Sequence, residues 1–181
     1  MENKDVEILD LFNNRKERIN KTFVRDDGET EYGEYRLTLH MWIINDKHEI
    51  LIQKRSPNMK RNPGKWAFTG GLPLSGEESI DGALREIKEE LGLKLNKEDI
   101  ELLITFRREH DFVDVWIAKS NVDLKDLVLQ EREVAELKWV TLEELEEIII
   151  NGEFVSSVNV YYDFMKKLLY KSYFKNMFHT I

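Results

Sequence analysis

Residues 71–93 read GLPLSGEESIDGALREIKEELGL, and the spacing within this stretch decides the architecture. From Glu77 to Leu91 the apolar residues Ile80, Ala83, Leu84, Ile87 and Leu91 recur every three or four positions, which predicts a helix with one buried face. Ser75 with Glu78 three residues later resembles a capping box at its start, and Gly92 supplies a left-handed stop at its end. Glu86, Glu89 and Glu90 fall at i, i+3 and i+4, so their carboxylates leave one face a turn apart. Like charges at that spacing repel, and they become favourable neighbours where a divalent cation sits among them. Taken alone, three such glutamates beside Arg85 and Lys88 describe a solvated acidic face more readily than a site.

Upstream of this helix, Trp66–Thr69 reads as a short strand running into Gly70-Gly71, and Ser56–Lys65, with two prolines, Gly64 and three basic residues, reads as a loop. Tyr35–Ile44 and Glu49–Gln53, separated by Asn45-Asp46-Lys47-His48, predict a hairpin whose first strand is largely buried. Glu7–Leu11 and Arg18–Val24 predict another around Asn13-Asn14-Arg15-Lys16, before a break at Asp26-Asp27-Gly28. Downstream, Ile100–Arg107, Phe112–Ala118 and Leu137–Val140 read as strands, and Leu142–Ile150 as a helix capped by Thr141. Val158, Tyr161, Tyr162, Met165, Leu168, Leu169 and Phe174 lie at near-helical spacing and predict a C-terminal helix packed on the sheet.

Composition narrows the chemistry. With 181 residues and 41% apolar content, the chain suits one domain with one core. Its net charge of -8, from 35 acidic against 27 basic residues, argues against binding a nucleic-acid backbone, so no DNA binding is expected. An acidic protein that handles phosphates needs a cation to bridge the two. There is no cysteine, so any metal ligand is oxygen or imidazole, and an oxygen set points to Mg2+ or Mn2+. Residues 1–20 are charged throughout and no apolar run approaches the roughly 18–20 residues that span a bilayer, so a cytoplasmic protein without a membrane segment is expected. The Asn20-Lys21-Thr22 glycosylation pattern is read as chance.

The complete pattern goes further than the glutamates alone. Gly71, five residues, Glu77, seven residues, Arg85-Glu86, apolar Ile87, one residue, Glu89-Glu90, one residue, Gly92 and apolar Leu93 reproduce every specified position of the Nudix box. At average residue usage such a match arises by chance on the order of once in a million chains. The chain therefore resembles a Nudix hydrolase, over roughly Glu34 to Gly152, with Pro63-Gly64-Lys65-Trp66 preceding the double glycine and Glu133–Leu145 resembling the closing strand and helix. That resemblance implies an α+β fold, the Nudix α/β/α sandwich with a mixed central sheet. In one domain it would hold an N-terminal β-hairpin (1–33), the Nudix core (34–152) and a C-terminal helix (157–181).

It also implies roles. Glu86, Glu89 and Glu90 match the metal-binding glutamates, for Mg2+ or Mn2+, and with Arg85, which orients them, they are the expected catalytic set. Gly71 and Gly92 match the turn-forming glycines, and Glu77 matches the glutamate that braces the loop onto the helix. Gly70, Gly71, Arg55 and Lys65 are the expected substrate-binding positions. Glu133 lies where some relatives supply a further metal-binding glutamate, and it stands as a candidate base beside the alternative of a solvated loop residue. Glu109, His110 and Asp111 form a second candidate cluster, with His110 as a proton shuttle. His40 is read as a core histidine, and Trp42, Trp66 and Trp116 as core. Lys60 and Arg61 are candidate phosphate contacts, and Phe106 and Phe112 candidate base-stacking surfaces.

The implied reaction is metal-assisted attack of water on phosphorus, cleaving a diphosphate linkage in a nucleoside diphosphate joined to another moiety, by a monomer or homodimer. The stretch Leu9–Arg15 together with the box also resembles the isopentenyl-diphosphate isomerase-like branch. That isomerase requires a cysteine near the double glycine, where this chain has Thr69-Gly70-Gly71-Leu72-Pro73 and no cysteine anywhere. A catalytically silent Nudix domain that senses a ligand is the other rival, and an intact set of metal glutamates argues against it.

Overall fold

The helix forms over Ser79–Leu91 (α1) in the computed structural model, which describes residues 6–25, 30–159 and 161–168. It begins later than the capping pattern suggests. Glu78 is the N-cap and makes no side-chain cap bond, while Ser75 Oγ donates to Asp10 Oδ1 at 2.6 Å on the N-terminal hairpin. The end is as expected: Gly92 takes φ 69°, and its N–H reaches the Lys88 carbonyl.

Among the described residues nine strands accompany this helix. β1 (Ile8–Phe12) and β2 (Arg18–Val24) form the N-terminal hairpin as a separate antiparallel pair. The main sheet holds β3 (Arg36–Ile44), β4 (Ile50–Arg55), β5 (Trp66–Ala67), β6 (Thr69–Gly71), β7 (Ile100–Arg107), β8 (Asp111–Lys119) and β9 (Val134–Val140). β3 runs parallel to β8 along its whole length, from Arg36↔Asp111 to Ile44↔Lys119, while β6 pairs antiparallel with it at Leu39–Met41, so the sheet is mixed. The single strand expected at Trp66–Thr69 is two. Ala67 pairs with Gln53 of β4 and Thr69 with Met41 of β3, so the chain changes partners at Phe68. β9 starts earlier than its apolar run, because Val134 still pairs with Arg55 across an irregularity in the ladder.

Alternation along β3 sorts the two faces. Leu37, Leu39, Met41 and Ile43 pack against Ala83, Ile87 and Leu91 of α1. Trp42 and Ile44, with Val113 and Val115 of β8, pack against Leu145 of α2 (Leu142–Ile150), Tyr161 and Met165 on the other side. Burying a side chain such as Ile87 or Leu91 contributes roughly 1.5–3 kcal/mol, so α1 is seated mainly by its apolar stripe. Thr141 closes the expected cap of α2, accepting from the Glu144 N–H at 3.2 Å while Glu144 reaches back to the Thr141 N–H at 2.9 Å. Helix on one face and helices on the other make this the α+β sandwich the sequence implies. The C-terminal segment is a 3-10 turn at Ser156–Val158 followed by a helix described over 162–168. The rest of the expected 157–181 helix, including Leu169 and Phe174, lies outside the described residues, as does Asp26-Asp27-Gly28.

Candidate active site

β6 brings Gly70 and Gly71 against α1 at the turn that carries Glu86. A Cβ built on Gly71 would stand 2.2 Å from Glu86 Cδ, so strand and helix approach to a distance that only glycine permits. Gly71 itself lies in extended β6 without a positive φ, so it is a close-packing glycine and not the turn glycine expected for it. Gly92 fills the turn role.

Glu86 and Glu90 are 6% and 3% exposed, whereas the Glu89 side chain is half exposed. Arg85 accounts for part of this arrangement. Its guanidinium bonds Glu77 through Nε at 2.9 Å, Glu86 Oε1 and Glu89 Oε2 through one terminal nitrogen at 3.0 and 3.1 Å, and the Leu72 carbonyl at 3.0 Å through the other. Burial opposes a charged arginine there, but the surrounding carboxylates hold it firmly protonated. Glu77 also accepts from the Leu74 N–H at 2.8 Å, which ties the loop to the helix as expected of it.

Glu90 is held from the sheet. Gln53 Nε2 donates to Glu90 Oε2 at 3.0 Å, Thr69 Oγ1 donates to Gln53 Oε1 at 3.2 Å, and the Gly70 N–H reaches Glu90 Oε2 at 3.4 Å. Gln53 was not singled out from the sequence. Its signal there was a polar residue directly after Leu51-Ile52 on a strand buried on both faces. Among the described residues no three acidic or imidazole side chains already converge on one point, and one nitrogen of Arg85 engages both Glu86 and Glu89. The donor set still fits a hard divalent cation: two buried carboxylates and a third half exposed, all oxygen.

The loop before β9 closes the other side of the cluster. The Val128 and Gln130 N–H groups bond the Leu91 and Glu90 carbonyls at 3.1 and 3.0 Å, capping the end of α1. Glu133 follows from this loop, and its carbonyl accepts from the Ser56 N–H at 2.8 Å. Its charge is one of those that push Glu90 up. Arg55 and Lys65 are neighbours, the Arg55 N–H bonding the Lys65 carbonyl at 2.9 Å, and Arg55 pairs with Val134 beside Glu133.

Other candidates fall elsewhere. His40 lies on the face opposite α1, bonded to the Tyr161 hydroxyl, and burial with the nearby Arg108 charge lowers it to about 4, so it is neutral near pH 7. His110 and Glu109 are exposed at the β7–β8 turn, while Asp111 pairs with Arg108 and accepts from Thr38 at 2.8 Å. Phe106 stacks on Tyr161, and Phe112 is buried against Tyr35, so both serve the interior and offer no stacking platform. Trp42, Trp66 and Trp116 are buried as expected, and Lys60 and Arg61 lie on an exposed loop.

Burial pushes Glu86 up to about 7 against the pull of Arg85, and burial with the charges of Glu86 and Glu133 pushes Glu90 up to about 8. A carboxylate raised in the fold above its unfolded value near 4.3 holds protons that the unfolded chain has released. The metal-free protein is therefore expected to lose stability as pH rises from 6.5 to 8.5, the two carboxylates outweighing the smaller opposite effect of His40, which still titrates in the unfolded chain near 6.5. Urea midpoints in EDTA across that window check this. Wild type should slope downward and Glu90→Gln should be flatter, and a wild-type curve that rises would contradict the burial of two charged carboxylates.

Known proteins match this geometry and sequence. The family model of the NUDIX domain matches residues 34–158. An uncharacterised Nudix hydrolase of Listeria innocua is 37% identical over 151 residues, covering 83% of this chain and 89% of the relative. An isopentenyl-diphosphate Delta-isomerase of Dinoroseobacter shibae is 38% identical over 105 residues, covering 54% of this chain and 59% of that one. A crystal structure from Deinococcus radiodurans superposes with a TM-score of 0.70 at 24% identity, over 82% of this chain and 92% of that one, which supports the fold.

Proposed function

The chain belongs to the Nudix family, whose model covers most of its length, and from that premise we propose that it is a Mg2+- or Mn2+-dependent hydrolase of a diphosphate linkage in a nucleoside diphosphate derivative. The observation that carries this reading is the pair Glu86 and Glu90, two carboxylates buried on one helix face over Gly70 and Gly71. Uncompensated buried carboxylates are costly, and a cation among them converts that cost into binding.

Glu86, Glu90 and, after release from Arg85, Glu89 would hold the ion. When bound, a divalent cation neutralises charge on a diphosphate and acidifies the water that attacks phosphorus. The protein supplies the rest. Arg85 and Gln53 fix the directions of Glu86 and Glu90, so little reorganisation accompanies the reaction. The Gly70-Gly71 backbone lets Glu86 of α1 come up against β6, and Arg55 and Lys65 offer positive charge at the end of β4. Water adds to phosphorus, the bridging P–O bond breaks, the leaving oxygen keeps the electron pair, and the water proton passes to a carboxylate within reach, for which Glu133 is the candidate.

A panel of nucleoside triphosphates, nucleotide sugars, dinucleoside polyphosphates and isopentenyl diphosphate tests this directly. With Mg2+ or Mn2+ a nucleotide compound should release phosphate or monophosphate, EDTA should abolish turnover, and added metal should restore it. Full turnover in EDTA would refute the metal role. Dimethylallyl diphosphate formed above a no-enzyme control would favour isomerisation, which is not expected from a chain that has no cysteine.

A further inference from the structure

We propose that Asp10 of the N-terminal hairpin is a positioning residue of the hydrolytic site. It clamps residues 75 and 76 so that Glu77 stands where it holds Arg85, and Arg85 in turn sets the carboxylates of Glu86 and Glu89. The inference rests on the hydrolase reading above and extends it to a segment that precedes residues 34–158, the span of the family match.

The segment between β6 and α1 has little to hold it from within. Gly76 turns at φ 85°, where an added Cβ would meet nothing within 4 Å, and Glu78 makes no side-chain cap bond at the start of α1. The internal bonds join Leu74 to Glu77: the Glu77 N–H reaches the Leu74 carbonyl at 2.9 Å, and the Leu74 N–H reaches Glu77 Oε2 at 2.8 Å. The hairpin supplies more, because four consecutive residues are bonded to it. The Ser75 N–H donates to the Ile8 carbonyl at 2.7 Å, Ser75 Oγ to Asp10 Oδ1 at 2.6 Å, and the Gly76 N–H to Asp10 Oδ2 at 2.9 Å. The Glu77 carbonyl and Glu78 Oε1 both accept from Arg18, the second at 2.8 Å.

These arms are unequal. The Arg18 and Glu78 side chains are 38% and 69% exposed, a setting in which an ion pair contributes little. The Asp10 side chain is 16% exposed, engages residues 75 and 76 with both oxygens, and is backed by Arg18 Nε at 3.1 Å. Hydrogen bonds to a charged carboxylate are the stronger kind, so Asp10 is the arm that fixes the segment. The hairpin itself is anchored at its turn, where the Lys16 ammonium reaches Asp114, wholly buried in β8. Asp114 also accepts at 2.6 Å from Ser79 Oγ, at the first residue of α1. Beyond the clamp the contacts are consecutive. Glu77 follows Gly76 and accepts from Arg85 Nε at 2.9 Å, and Arg85 reaches Glu86 Oε1 and Glu89 Oε2 at 3.0 and 3.1 Å. Freeing residues 75 and 76 therefore frees the carboxylate that fixes Arg85, one link from two of the glutamates assigned to the cation.

The test is the Mn2+ affinity of the full chain, read by electron paramagnetic resonance below the melting temperature of each protein. Wild type is compared with Asp10→Ala, Asp10→Asn, Glu77→Ala and the Asp10→Ala/Glu77→Ala double variant. Asp10→Ala should bind Mn2+ about ten-fold more weakly, the low end of what groups supporting metal ligands contribute. Asp10→Asn, which keeps an oxygen for one of the two donors, should recover part of that loss. In the Glu77→Ala background, Asp10→Ala should change affinity by less than about two-fold, because a residue that acts through Glu77 then has nothing to position. Equal Mn2+ affinity in wild type and Asp10→Ala overturns the proposal and leaves the hydrolase reading standing. The same loss in both backgrounds also overturns it, because Asp10 would then be supporting the fold at large. If Asp10→Ala does not fold, Asp10→Asn carries the same comparison in both backgrounds. A wild type that binds no Mn2+ overturns both readings.

Discussion

Glu90→Gln and Glu86→Gln are each expected to lower metal-dependent turnover by about a thousand-fold, since a metal ion supplies several kcal/mol of charge stabilisation at roughly 1.4 kcal/mol per factor of ten. Both side chains are almost fully buried on the α1 face, so neither has a solvated substitute close by. Glu133→Gln should cost much less if it only tunes the site. A loss of about 100- to 10,000-fold there would instead identify it as the proton acceptor. Stability moves the other way. Without metal, Glu90→Gln removes a carboxyl whose charged form burial, Glu86 and Glu133 all disfavour, while the Gln53 donor keeps an oxygen to bond. The variant should melt at or above wild type in EDTA. Near-normal turnover, or a melt far below wild type without metal, would show that the three glutamates are a structural face.

Gly71→Ala and Gly70→Ala, one methyl group on adjacent residues, should fail in different ways. At Gly71 the added carbon would sit 2.2 Å from Glu86 Cδ and Oε1, and the group that must give way is the end of a side chain. The fold can absorb that rotation, but Glu86 then leaves its place beside Arg85. Misplacement of a reacting group by about 1 Å costs on the order of a hundred-fold, so Gly71→Ala should lose at least that in turnover with a modest change in melting temperature. At Gly70 the carbon would stand 2.7 Å from the Leu39 carbonyl oxygen, which is backbone of the central strand. Relief there shifts β3 or β6 and should cost roughly 1–3 kcal/mol of stability, as overpacking does. Steady-state kinetics beside thermal melts separate the two. An active Gly71→Ala enzyme would mean that Glu86 does not need its present position.

What was legible in the sequence follows from how local each signal is. The α1 period, its Gly92 stop and the Thr141 cap depend on residues within a turn or two of one another, and all three appear in the structure. The capping pattern at Ser75 misled because Ser75 is tied to a distant hairpin: its N–H bonds the Ile8 carbonyl and its hydroxyl donates to Asp10, 65 positions away in the chain. Gly71 was recognised by its place in the box but given the wrong physical reason, because the contact that demands glycine comes from a helix 15 residues later. Gln53 escaped for the same cause. It gains its meaning from Glu90 on another element, and no single strand pattern announces that partner.

The loop that caps α1 uses only its peptide groups to do so. Val128 and Gln130 give backbone N–H groups to Leu91 and Glu90, so their side chains contribute nothing to those two bonds. Evolution can thus rewrite Val128 and Gln130, although not Leu129, which packs against the core, while the segment's length stays under selection. One residue inserted or deleted between Val128 and Glu133 would shift Glu133 relative to the helix end, whereas substitutions along the same stretch would leave that distance intact. In related genes, alignments should show many amino acids and few gaps here.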